Sequence, residues 1–162
     1  MIYFYTDGAC KGNPGPGGFG VVCLDSNRLV YEHSEQCEYT TNNREEMKAI
    51  LYVFKEVAHI KDDIIIIYSD SAYCVNMLND WIWKWANNNW KNSKKQTVEN
   101  LDLVQELYKY ISTDFFNCQV VKVKGHNGDV GNELADALAT NDKIKFEKIL
   151  KQRGIKRMFD FL

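Results

Sequence analysis

Proline is scarce in this chain, and long apolar runs are absent. Only two prolines occur among 162 residues, Pro14 and Pro16, and both fall in one loop. The longest aliphatic run, Ile64 to Ile67, is far too short to span a membrane. The N-terminus carries Asp7, Lys11 and both prolines instead of an uninterrupted apolar core, so it does not read as a signal peptide. The five cysteines are an odd number and form no C-x-x-C pair, so neither a disulfide framework nor a zinc site is expected. Cys23, Cys74 and Cys118 lie in apolar segments and read as small core residues. A reducing, cytoplasmic location is the expectation. Strong charge of one sign is also lacking. The formal net charge is −2 and the pI is near 5.9, which argues against a globally basic nucleic-acid binder and leaves room for a local basic patch. Repeats, low-complexity tracts and linkers are missing, so residues 1–162 are read as one domain with one sizeable core.

What is present begins with a shaped loop. Ile2 to Tyr5 reads as a strand that ends at Asp7. Five glycines, both prolines and Asn13 then fall between Gly8 and Gly18. Gly18 to Leu24 and Leu29 to Cys37 read as two more strands around a turn at Asp25–Arg28, so the first three strands are expected to be antiparallel. Met47, Ile50, Leu51, Phe54 and Ala58 recur at helical spacing and predict a helix from about Arg44, with Asn43 as its cap. Ile64 to Tyr68 is an apolar strand that ends on Ser69-Asp70-Ser71, and a helix follows. Residues 81–96 hold all four tryptophans and four lysines with no acidic residue, a basic protrusion. Thr97 to Ile111 reads as a helix capped by Thr97, Asn117 to Lys124 as a fifth strand, and Asn132 to Thr140 as a helix after a glycine-rich loop that carries His126. Residues 142–162 predict a basic helical tail that buries Ile144, Phe146, Ile149 and Leu150. The sum is an α/β chain: a five-stranded mixed sheet, three strands antiparallel and the rest parallel, with helices on both faces.

Asp7 and Asp70 both end strands, Glu46 stands at the start of a helix, and Asp136 shares a helix face with Glu133. Each has an ordinary explanation alone: a turn, a capping box, an N-cap, a solvated face. Together at one point they would repel, and divalent cations would be needed to neutralise them. Oxygen-only ligation suits Mg²⁺ or Mn²⁺. Paired cations of this kind serve in-line displacement at a phosphodiester.

The residues that carry chemistry are Tyr5-Thr6-Asp7-Gly8 with Gly12-Asn13-Pro14-Gly15-Pro16-Gly17-Gly18, Thr40-Thr41-Asn42-Asn43-Arg44 with Glu46, Ser69-Asp70-Ser71, Trp81, Trp85 and Trp90 with Lys91, Lys124-Gly125-His126, and Asn132-Glu133 with Asp136. In this order and spacing, over roughly residues 2–141, the chain resembles a type 1 ribonuclease H of the bacterial kind. The resemblance implies the ribonuclease H-like fold and hydrolysis of the RNA strand of an RNA/DNA hybrid, with 5′-phosphate and 3′-hydroxyl ends, in removing RNA primers and R-loops. It implies two Mg²⁺ ions, with Mn²⁺ as substitute, on Asp7, Glu46, Asp70 and Asp136, and His126 assisting proton transfer or product release. It implies that Cys10, Asn13, Asn42 and Asn43 line the minor groove, where the 2′-hydroxyl is read. Thr41 and Asn100 would hold a DNA-strand phosphate, and Trp81, Trp85, Lys91, Lys94 and Lys95 would grip that strand. A monomer without a small-molecule cofactor is expected. No hybrid-binding segment precedes Met1 in this sequence, so low processivity is expected too.

Three departures from the family pattern bear on affinity more than on chemistry. Ala72 stands where many relatives carry Gln or Asn, Tyr39 where they often place a basic residue, and Ala86-Asn87-Asn88-Asn89 makes the protrusion less basic. An integrase or junction-resolving nuclease, and a binding module without catalysis, remain the competing readings at this point.

Overall fold

The computed structural model describes residues 1–58, 63–113, 116–123 and 129–159. Strands β1 (Ile2–Cys10), β2 (Gly15–Asp25) and β3 (Arg28–Thr40) form an antiparallel meander. On the other side of β1, β4 (Ile65–Ser69) and β5 (Cys118–Lys122) add in parallel. The sheet order is β5-β4-β1-β2-β3-β6.

The sheet therefore has six strands among the described residues, one more than expected. The extra strand, β6 (Lys156–Arg157), comes from the tail and pairs in parallel with Arg28 and Leu29 of β3. Gly154 adopts a left-handed φ of 65° and ends the preceding helix, and buried Ile155 then leads the chain onto the sheet edge. Two residues carry no alternating pattern, so this strand has no signature in the sequence. The first three strands are also longer than expected. Gly15 to Gly18 pairs with the end of β3 through a bulge instead of remaining loop.

One face of the sheet carries α1 (Asn42–Glu56), α2 (Ala72–Asn76), a π-helical turn (Met77–Trp81), α3 (Ile82–Ala86) and α4 (Leu101–Ile111). The other carries α5 (Val130–Ala139) and α6 (Lys143–Arg153). Neighbouring strand residues divide between the two layers because side chains alternate across a strand. Val21 joins Phe4, Met47, Ile50 and Phe54 in the larger core, whereas Val22 joins Leu134, Phe146 and Leu150 in the smaller one. Ile144 is an exception to the expectation for the tail. It is 84% exposed, because α6 turns Phe146, Ile149 and Leu150 inward at helical spacing and Ile144 falls off that stripe. Cys23, Cys74 and Cys118 are buried in the core as expected, and no disulfide occurs among the described residues. No described helix is long and apolar enough to cross a membrane.

Candidate active site

β1 is the strand on which the carboxylates converge. Its parallel ladder with β4 stops at Thr6 opposite Ser69, while its antiparallel ladder with β2 continues to Cys10 opposite Gly17. The strand thus runs past Asp7 instead of ending there. Asp7 is the first residue beyond the β4 ladder, and Asp70 is the first residue beyond β4 itself. Both follow the same rung, so the two carboxylates stand side by side.

Glu46 arrives from α1 through a glycine contact. A Cβ on Gly8 would stand 2.3 Å from Glu46 N and 2.5 Å from the Glu45 carbonyl carbon. Only glycine lets the first turns of α1 lie this close to β1. The expected capping-box role of Glu46 does not hold. Thr41, not Asn43, caps α1, and its Oγ accepts from Arg44 N at 3.2 Å. The position that would reach back to this cap is Arg44. Asp70 is likewise not a cap, since the Ser71 Oγ accepts from Cys74 N at 3.1 Å. With those explanations removed, oxygen atoms of Asp7, Glu46 and Asp70 lie within 4.8 Å of one another.

Asp136 comes from α5, which packs on β2 at Gly20, the partner of Asp7 in the β1–β2 ladder. A Cβ there would stand 2.4 Å from Ala135 O, so this close approach also requires glycine. Asp136 lines a cavity of about 490 Å³ with Asp7 and Asp70, half-exposed and outside the tight cluster of three. Asn132, Glu133, Lys145, Lys148, Ile149 and Gln152 complete that cavity; the sequence placed Asn132 and Glu133 only in the motif around Asp136, and did not place the four α6 residues at the site. The spacing of Glu133 and Asp136 on one helix face was the available signal for Glu133. His126 lies outside the described residues, together with Lys124 and Gly125.

Burial raises the pKa of Asp7 first, and Glu46, Asp70 and Asp136 raise it further. Burial also leads at Glu46, where Asp70 and Asp136 again raise the value against the lowering hydrogen bond with Asp7. Both therefore hold a proton far more readily than ordinary carboxylates. Glu46 Oε2 is buried without a hydrogen-bond partner among the described residues. A buried acceptor left in that state costs about 1–3 kcal/mol. A divalent cation on these oxygens would satisfy that atom and screen the repulsion, so the residues fit a hard cation with oxygen ligands.

The expected substrate-side residues fall into two groups. Asn13 Oδ1 accepts from Asn42 N at 2.9 Å and ties the glycine loop to the start of α1. Cys10 Sγ donates to Thr40 O at 3.3 Å just before that helix. These contacts bring Cys10, Asn13, Thr41, Asn42 and the adjoining Asn43 onto one rim. Asn100 joins them through Arg44, whose Nη1 donates to Asn100 Oδ1 at 3.3 Å. Arg44 also forks onto Asp102 at 3.0 and 2.8 Å, which lowers the Asp102 pKa to about 2. Asn100 sits at a left-handed φ of 57° before α4, so α4 starts four residues later than expected. The expected cap Thr97 instead accepts from Lys91 Nζ at 2.9 Å and closes the basic segment by a bridge to Lys91.

That segment is not one continuous amphipathic helix. The rings of Trp81, Trp85 and Trp90 pack against the larger core, Trp81 and Trp85 with centroids 6.1 Å apart. Trp90 stands edge-on to Tyr108 at 5.3 Å. Lys91, Lys94 and Lys95 project outward. Tryptophan here anchors the protrusion, and lysine gives it its charge.

The RNase H family model matches residues 1–144. The chain belongs to the ribonuclease H family. Membership makes it an enzyme of the ribonuclease H kind. It is 41% identical to ribonuclease H of Orientia tsutsugamushi (strain Boryong), with 98% of this chain and 91% of that protein aligned. It is 42% identical to ribonuclease H of Caldicellulosiruptor saccharolyticus, with 85% and 92% aligned. Among solved structures, LC9-RNase H1, described as a type 1 RNase H with the type 2 active-site motif, is similar at a TM-score of 0.72 and 29% identity, over 85% of this chain and 69% of that one. LC11-RNase H1 in complex with RNA/DNA hybrid is similar in fold at a TM-score of 0.63 and 24% identity, over 89% and 99%. The match to the family model ends at Ile144, the second residue of α6, whereas the alignment with the Orientia protein runs on through nearly the whole chain.

Proposed function

We propose that this chain is an RNA/DNA-hybrid-specific endoribonuclease that hydrolyses the RNA strand with two divalent cations. The observation that carries the reading is the convergence of Asp7, Glu46 and Asp70 within 4.8 Å, with Glu46 Oε2 buried and unpartnered among the described residues. Asp136 faces the same cavity and completes the ligand set. When bound, Mg²⁺ or Mn²⁺ supplies an activated water and stabilises the leaving oxygen, which leaves 5′-phosphate and 3′-hydroxyl ends. The protein's own part is to bury Asp7 and Glu46 and to crowd Asp70 and Asp136 beside them, so that a divalent cation would relieve the repulsion that otherwise makes the buried pair hold protons. Asp7 is held by Gly8 N, which donates to its Oδ1 at 2.9 Å. His126 would shuttle a proton or promote product release.

Recognition follows from the rim. Cys10, Asn13, Asn42 and Asn43 would read the 2′-hydroxyl in the shallow minor groove. Thr41 and Asn100, bridged by Arg44, would seat a phosphate of the DNA strand. Lys91, Lys94 and Lys95 would contact further phosphates of that strand, with Trp81 and Trp85 as their support. In the cell this reading corresponds to a cytoplasmic monomer that removes RNA primers and R-loops.

The test uses labelled RNA/DNA hybrid beside double-stranded RNA and duplex DNA, with Mg²⁺, Mn²⁺ or EDTA. Cutting confined to the RNA of the hybrid, abolished by EDTA and by Asp7→Asn, is expected. Similar rates on double-stranded RNA, or cutting that survives EDTA, would overturn the proposal.

A further inference from the structure

Helix α6 is fastened to the fold, and one of its faces closes the carboxylate cavity. Asp142 caps it, accepting from Lys145 N at 3.0 Å, and Gly154 ends it. Phe146, Ile149 and Leu150 are buried against Val22, Leu29, Leu134 and Ala137. Arg157 lies over the Phe146 ring at 5.6 Å and pairs with Glu32 and Glu147. The helix is therefore a packed element and not a loose basic tail. Residues 145, 148, 149 and 152 follow at helical spacing, and all four line the cavity that holds Asp7, Asp70 and Asp136. Lys145 Nζ donates to Asp136 Oδ2 at 2.8 Å. Lys148 lines the same cavity and is not bonded to Asp136.

We propose that Lys145 is a built-in counter-cation of Asp136, which a divalent cation must displace before that carboxylate can join the metal site. This rests on the metal reading above. The structure supports it in two ways. The pair joins a site carboxylate to a helix anchored by a separate core, so the ammonium is kept at the site. The same carboxylate is half-exposed and outside the tight cluster, so it is the ligand most open to exchange. In this arrangement Asp7, Glu46 and Asp70 take a cation without displacing an ammonium, and Asp136 takes one only in exchange with Lys145. Lys145 thereby sets the affinity of the Asp136-dependent cation.

The experiment is Mn²⁺ binding to the full chain by calorimetry, without nucleic acid, in the wild type, Lys145→Met, Lys148→Met, Asp136→Asn and the Asp136→Asn/Lys145→Met double variant. Half-exposed ion pairs are worth little, so Lys145→Met should tighten the Asp136-dependent site by about two- to fivefold. Lys148→Met removes the same charge without breaking a bond to Asp136, and should change affinity less. In the Asp136→Asn background, Lys145→Met should have no effect. Unchanged or weaker Mn²⁺ binding in Lys145→Met, or an equal gain in Lys148→Met, would overturn the inference while the metal reading stands. A wild type that binds no Mn²⁺ would overturn both.

Discussion

Replacing Asp7 by asparagine should stabilise the cation-free protein while destroying its activity. Asp7 and Glu46 are buried and hold raised pKa values, with burial as the first cause at both. The sign follows from proton linkage. In the unfolded chain these carboxyls ionise near pH 4. In the fold they stay protonated to a much higher pH. Above pH 4 the folded state therefore binds more protons, and stability falls as pH rises until the folded groups ionise. The substitution removes one titrating group. The new amide oxygen can still accept from Gly8 N, the bond that Asp7 makes at 2.9 Å. The amide nitrogen can donate to Glu46 in place of the shared proton. Relief of one poorly satisfied buried acceptor is worth about 1–3 kcal/mol. For a chain of this length each kcal/mol shifts Tm by about 2–4 °C. Thermal denaturation in EDTA should therefore place Asp7→Asn about 2–12 °C above the wild type at pH 8, with the gap closing toward pH 4. Added Mg²⁺ should raise Tm of the wild type and not of the variant, since a ligand stabilises only what it binds. A variant that melts at or below the wild type in EDTA at pH 8 would refute the argument that crowded, buried charge dominates this site.

Three other perturbations test the scaffold around the site. Gly8→Ala places a Cβ against backbone atoms of Glu45 and Glu46 that have no flexible end to move, so it should cost about 1–3 kcal/mol in urea denaturation and lower turnover by displacing Glu46. Native stability with undiminished turnover would show that the close approach is not needed. Phe146→Ala removes the ring that seats α6, with an expected loss of about 3–5 kcal/mol by the same measurement; truncation after Thr140, which discards Phe146, Ile149, Leu150 and Ile155 together, should fail to fold, and a stably folded truncation with weakened hybrid binding would recast α6 as a nucleic-acid contact. Lys94→Ala with Lys95→Ala should weaken hybrid binding and flatten its salt dependence by about one log unit per lost phosphate contact, measured by fluorescence anisotropy across a salt series.

The order of elements was legible in the sequence because periodicity survives without tertiary context. Alternating and helical spacing located β1 to β5, α1, α4, α5 and α6 to within a few residues. The boundaries that failed did so for a common reason. Asn43, Thr97 and Asn100 are all plausible caps by residue type, and the choice among them depends on partners distant in the chain. Thr97 is drawn off to Lys91, and Asn100 to Arg44. The tail strand β6 depends wholly on an edge supplied by β3, 125 residues or more away in sequence. Glu46 and Asp70 were legible as carboxylates at element ends, yet their capping explanations could be dismissed only when the structure showed Thr41 and Ser71 doing the capping. Glycine illustrates the limit most clearly. In sequence, Gly8 belongs to a turn-rich loop, and Gly20 sits inside a strand without explanation. In the fold, each is the point where a helix meets the sheet at a distance no Cβ would permit, and those helices carry Glu46 and Asp136. What a glycine admits is decided by whatever lies opposite it, so an absence of side chain becomes informative only after the opposing backbone is known. The same holds for Lys145. A lysine in a basic tail reads as solvated until the cap, the buried stripe and the edge strand show its helix packed beside the site, with its ammonium on Asp136.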